Sequence, residues 1–161
     1  MVPVHYYSFY CNPTLRIVYI SVAIGMAFLC ILASLLDIMS TPPFRPVRGL
    51  IFLGFGLSSI IPIIHHFCIY PYNYSVKITQ IHWLVLMGSF YVSGCLLYMF
   101  LVPERFFPGK ISLAFQSHQI FHVFVVIGTL LHLYALNQMS IIRVKKGKIC
   151  FPNETLDITF A

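Results

Sequence analysis

Seven histidines stand in a chain of 161 residues of which only 9% are charged, and they are the groups whose chemistry must be explained first. His118 and His122 lie four residues apart. On a helix that spacing puts both imidazoles on one face, close enough to bind a single Zn²⁺. A pair of capping or interfacial histidines is the other reading of the same spacing. Two imidazoles cannot close a tetrahedral site, so further ligands would have to come from elsewhere. Gln119 follows His118 where a zinc protease would carry its glutamate base, and the protease reading fails there. His132 falls near the same face but about 15 Å further along the axis than His122. It is expected to be a hydrogen-bonded core or far-interface residue. His65 and His66 follow Pro62 by one turn, so the carbonyls freed by that proline are their expected partners. His82 beside Trp83 reads as an interfacial anchor. His5 is too close to the start of the chain to carry a reading. No residue is assigned a catalytic role, and His118 and His122 are the candidate metal ligands.

The elements that must position these groups follow from composition. The chain is 59% hydrophobic and 16% aromatic, with a mean hydropathy of +0.87. A soluble domain carries roughly 25% charged residues, so a soluble enzyme is excluded and an integral membrane protein is expected. The net charge of +6 comes from single Lys and Arg residues between apolar runs, without the interleaved aromatics of a nucleic-acid surface. These cations are expected to meet lipid headgroups and set topology. The five cysteines show no CxxC spacing and are expected to be structural thiols.

Charge-free stretches mark the crossings. Four full spans are expected at about 17–36, 49–68, 81–102 and 115–136, after a half-span at about 1–12. Residues 1–136 thus form a transmembrane helical domain and 137–161 a polar C-terminal tail. The prolines of Thr41–Arg48 (TPPFRPVR) separate the first two spans, and Pro62 should kink the second. Gly54, Gly56, Ser58 and Ser59 offer a small-residue surface to another helix. Pro71–Ser75 reads as a turn. Met1–Cys11, at about 16 Å as a helix, covers only half a bilayer core and reads as the end of a helix whose beginning is missing.

Two motifs point further. Pro103–Lys110 (PERFFPGK) followed by Gln116–His122 (QSHQIFH) resembles the adiponectin receptor branch of the progestin and adipoQ receptor family, to which haemolysin III-related proteins also belong. The resemblance extends to Val2–Cys11 (VPVHYYSFYC), Gly54–Ser58 (GFGLS) and Pro62–His65 (PIIH), and covers the chain up to about Tyr134. It implies a seven-helix receptor with a cytosolic N-terminus, an external C-terminus and a zinc ion near the cytosolic side. Three histidines hold that zinc in the family, and the two on the final helix match His118 and His122. The family's third histidine with its nearby serine, and the aspartate that holds the water on the zinc, have no counterpart here. The resemblance therefore implies an N-terminally truncated all-α chain whose four spans are the fourth to seventh of the bundle.

A truncated adiponectin receptor-like signalling receptor with a partial zinc site is the leading functional expectation. A zinc-dependent ceramidase-type lipid amidase is the alternative, as is a non-catalytic partial chain that associates with full-length receptors. The amidase needs a third ligand and a base, and the only carboxylates are Asp37, Glu104, Glu154 and Asp157. By itself the chain is expected to bind zinc weakly and hydrolyse nothing. Membrane lipids, an adiponectin-like protein or a lipid such as ceramide, and homo- or hetero-oligomers are the expected partners; nucleic acid is not. The expected location is the plasma membrane, with internal membranes as the alternative. Sequons at Asn73 and Asn153 lie two crossings apart and must face one side. Arg45, Arg48, Arg105 and Lys110 on the other side favour an external tail over Arg16 and Lys77, until the tail's Arg143, Lys145, Lys146 and Lys148 reverse the balance. The external tail is preferred because the loop motifs are specific.

Overall fold

The computed structural model describes residues 1–106 and 116–146, and every regular element among them is helical. In chain order these are α1 (Val2–Ser8), α2 (Pro13–Leu35), α3 (Arg45–Ser58), α4 (Ile60–Ile69), α5 (Tyr72–Thr79), α6 (Ile81–Phe100) and α7 (Ser117–Lys146). Four stretches are long and apolar enough to cross a bilayer: Pro13–Leu35, Arg45–Ile69, Ile81–Phe100 and Ser117–Lys145. The chain is an all-α membrane protein. Its α2 shows why: Ile17, Val22, Phe28, Leu29 and Leu35 are exposed around the helix, a surface that only lipid or protein can cover. Asn12 starts α2 by accepting the Leu15 amide at 3.4 Å, and Pro13 follows at a position where a missing N–H costs nothing. Two short 3₁₀ turns, Asp37–Ser40 and Pro42–Phe44, then reverse the chain into α3.

The second span is interrupted rather than smoothly kinked. Pro62 lacks the N–H that would bond the Ser58 carbonyl, and α3 ends at Ser58. Ser58 and Ser59 turn their hydroxyls back onto the Phe55 and Gly56 carbonyls, each at 2.7 Å. Open space meets Gly54 and Gly56, so no described helix uses the small-residue surface expected there.

Residues 71–75 do not form an isolated turn. Pro71 is the N-cap of α5, and Tyr74, Ser75, Ile78 and Thr79 bury one helical face of it. Gln80, in the left-handed region at φ 49°, separates α5 from α6.

The closest packing joins α6 and α7. Leu84 and Met87 meet Ala135 and Met139, with Val4 of α1 completing the buried cluster. Glycine makes this approach possible: a Cβ at Gly94 would stand 2.8 Å from the Phe124 Cβ, and one at Gly128 would stand 2.9 Å from the Tyr91 ring. Residues 137–146, expected as the start of a polar tail, continue α7, whose 30 residues run about 45 Å. That exceeds a hydrocarbon core of about 30 Å, so the helix projects beyond it. Residues 147–161, including the Asn153 sequon, lie outside the described residues. Cys30, Cys68 and Cys95 are free, whereas Cys11 is disulfide-bonded, which corrects the expectation of plain thiols throughout.

Candidate metal centre

Glu104 sets where α7 begins. Its Oε1 accepts the Ser117 amide at 3.0 Å and its Oε2 accepts the Ser117 hydroxyl at 3.2 Å, with Ser117 only 1% exposed. A carboxylate placed against the unpaired amides of a helix start is favoured by both hydrogen bonding and the helix dipole. This contact fixes the register of the next turn, which carries His118 and His122.

The two imidazoles face each other. Their Nε2 atoms are 3.1 Å apart, with ring centroids at 4.5 Å and planes inclined by 83°. Two nitrogens bound to one tetrahedral zinc at about 2.0–2.1 Å would be about 3.3 Å apart. The pair is thus within a few tenths of an ångström of the spacing that one ion requires. Both residues are exposed on the flank of α7. Among the described residues, no group of three His, Cys, Asp or Glu side chains gathers closely enough to hold a metal.

A second set of groups backs His118. Its ring lies 5.7 Å from that of Tyr98, near the end of α6, and 6.3 Å from Phe121. Arg48 donates from Nη2 to the Tyr98 hydroxyl. The guanidinium carbons of Arg45 and Arg48 sit 5.2 and 5.6 Å from the Tyr98 ring centre, within cation–π range. The starts of α3 and α7 and the end of α6 therefore converge here, and two cations flank the histidine pair. In the sequence Arg45 and Arg48 bear only on topology; their place beside Tyr98 comes from the fold. Their i, i+3 spacing at a helix start was a legible sign that they share a face.

The other histidines are far from this point. His66 and His65 sit towards the opposite end of the bundle, and neither has the partner expected near Pro62. Fully buried His66 pairs through Nε2 with the Ser8 carbonyl and through Nδ1 with the Ser75 hydroxyl, both at 3.1 Å. A carbonyl only accepts, so Nε2 carries the proton and Nδ1 faces the hydroxyl as acceptor. Tyr19 binds His65 Nδ1 at 2.5 Å, and the buried His5 ring packs 6.1 Å from Tyr19. His82 lies exposed beside Trp83. His132, expected as a hydrogen-bonded core or far-interface residue, is half-buried, and its Nδ1 has no hydrogen-bond partner among the described residues.

Comparison with known proteins agrees with the motifs. The model of the haemolysin-III related family matches residues 1–133. The adiponectin receptor protein of Drosophila melanogaster is 39% identical over 155 residues, covering 96% of this chain and 35% of the fly protein. Progestin and adipoQ receptor-like protein 1 of Caenorhabditis elegans is 39% identical over 145 residues, or 90% of this chain and 33% of the worm protein. Heptahelical transmembrane protein 3 of Arabidopsis thaliana is 42% identical over 127 residues, or 79% of this chain and 37% of the plant protein. The chain spans about a third of the length of these relatives.

Proposed function

Since the chain belongs to the haemolysin-III related family, we propose that it acts as part of an adiponectin receptor-like membrane receptor in which His118 and His122 contribute two ligands to a zinc site. The observation that carries this reading is the 3.1 Å approach of the two Nε2 atoms on the first turns of α7. A zinc ion held there would act as a Lewis acid and activate water. The chain's own part is to present two imidazoles from one helix face, with Glu104 fixing the helix start and Phe121 and Tyr98 packing against His118. The remaining ligands fall to groups beyond the described residues or to water. An adiponectin-like protein is the proposed ligand of that receptor; a lipid such as ceramide would enter from the bilayer. The amidase alternative lacks support from the described carboxylate nearest the α7 start, because both oxygens of Glu104 are engaged at Ser117.

Zinc competition against a chromogenic chelator, with the chain in detergent, tests the metal reading. The expected outcome is one weakly held ion, released by mild chelation and lost in both His118→Ala and His122→Ala. Zinc binding unchanged by either substitution would remove the site. Binding of a labelled adiponectin-like ligand to intact cells tests the receptor reading separately, and cells expressing the chain should bind no more than controls if that reading is wrong.

A further inference from the structure

We propose that Arg45 and Arg48, gathered on Tyr98 at the start of α3, form a binding site for a phosphomonoester, supplied by a membrane lipid of the phosphatidic acid type. The two arginines lie three residues apart in the first turn of α3. That spacing puts them on one helix face, close enough for both side chains to share a group the size of a phosphate. Tyr98, only 5% exposed, holds both of them. Arg48 donates to its hydroxyl, and the guanidinium carbons of Arg45 and Arg48 lie 5.2 and 5.6 Å from its ring centre. Both arginines are half-buried, so each keeps donors open to a ligand.

The positive charge gathered here has no counterpart in the fold. Among the described residues both guanidiniums are held by Tyr98 and by no carboxylate. Glu104, at the same end of the bundle, gives both of its oxygens to Ser117. The start of α3 has no side-chain cap, so the partial positive charge of the helix end adds to that of the arginines. Two cations that a buried tyrosine orients and no acid neutralises are arranged for an anion from outside the chain.

Depth and chemistry decide which anion. Arg45 opens the stretch Arg45–Ile69, which is long and apolar enough to cross a bilayer. The pair therefore stands where a span meets the headgroup layer, the level at which basic pockets between helices take lipid phosphates. Arginine suits that group because its planar fork can make two parallel bonds to two oxygens, which lysine cannot. A phosphomonoester carries about −1.5 to −2 charges at pH 7 and so matches two guanidiniums, whereas a diester headgroup carries less. Phosphatidic acid presents its monoester at the interface with no further headgroup to pass between the helices. Val47 and Leu50, exposed beside the pair on α3, give its acyl chains an apolar surface to lie against.

Retention of radiolabelled dioleoyl phosphatidic acid by the full chain in detergent tests the site. Unlabelled phosphatidic acid should displace the label from wild type, phosphatidylserine should do so about tenfold less well, and phosphatidylcholine should not. Arg45→Gln and Arg48→Gln should each weaken retention about tenfold. Arg45→Lys and Arg48→Lys, which keep the charge without the fork, should fall between those variants and wild type. Arg16→Gln, whose guanidinium sits over Tyr6 at the other end of α2, should match wild type. The competition series is read on wild type alone, so it stands whether or not a variant folds. Equal displacement by phosphatidic acid and phosphatidylserine, or retention unchanged in both glutamine variants, would overturn the site. Displacement by millimolar inorganic phosphate as complete as that by the lipid would overturn the membrane as the source of the phosphate.

Discussion

Replacing His66 by alanine should be among the most destabilising single changes in this chain. The imidazole is fully buried, bonded at both nitrogens, and packed 4.7 Å from the Tyr70 ring and 5.5 Å from Phe9. Truncation leaves a cavity among aromatic rings and strips the Ser8 carbonyl of the donor it meets through His66. A cavity of this size costs about 2–4 kcal/mol and an orphaned buried acceptor about 1–3 kcal/mol, with partial overlap. The sum is about 3–5 kcal/mol, or roughly 10 °C in melting midpoint for a chain of this size. Ser75→Ala should cost less, about 1–2 kcal/mol, because the ring remains and only Nδ1 loses its partner. The two changes share one hydrogen bond, so the double variant should be less damaged than the sum by about 1 kcal/mol. Trp83, the only tryptophan, packs 4.7 Å from Tyr134 between α6 and α7, and its fluorescence reports the melt in detergent. A His66→Ala chain that melts with wild type, or strictly additive effects, would refute the buried network that joins α1, α4 and α5.

Three further outcomes follow from other contacts. Gly94→Ala should destabilise by about 1–3 kcal/mol, since its Cβ would strike the Phe124 Cβ at 2.8 Å, whereas Gly25→Ala, with nothing within 4 Å, should be neutral or stabilising; thermal melts of both decide the sign. Glu104→Ala should fray the first turn of α7 at a cost of about 1 kcal/mol and weaken zinc retention severalfold in chelator competition, although Glu104 is no ligand. Asn73 should carry no glycan, because the sequon's Ser75 is fully buried in helical α5 and its hydroxyl is engaged with His66; glycosidase treatment should shift Asn73→Gln and wild-type chains equally on a gel.

All-α membrane character, four long apolar helices and the shared helix face of His118 and His122 could be read from the residues. These are properties of local composition and of helical period: a run without charge from Ile17 to Leu36 must be solvated by something other than water, and i, i+4 neighbours share a face in any helix. Even the break at Pro62 follows from one missing N–H. What the tertiary structure decided are the pairings between residues remote in sequence. Ser8, His66 and Ser75 come from three helices, and nothing local tells His66 to prefer them to the carbonyls near Pro62. Glu104 reaches Ser117 across thirteen residues, and Arg48 reaches Tyr98 across fifty. The helix at Tyr72–Thr79 illustrates the reason. Its weak local propensity and leading proline read as a turn, but burying Tyr74, Ser75, Ile78 and Thr79 on one face repays the cost of ordering it, and that burial exists only once the neighbouring helices are in place.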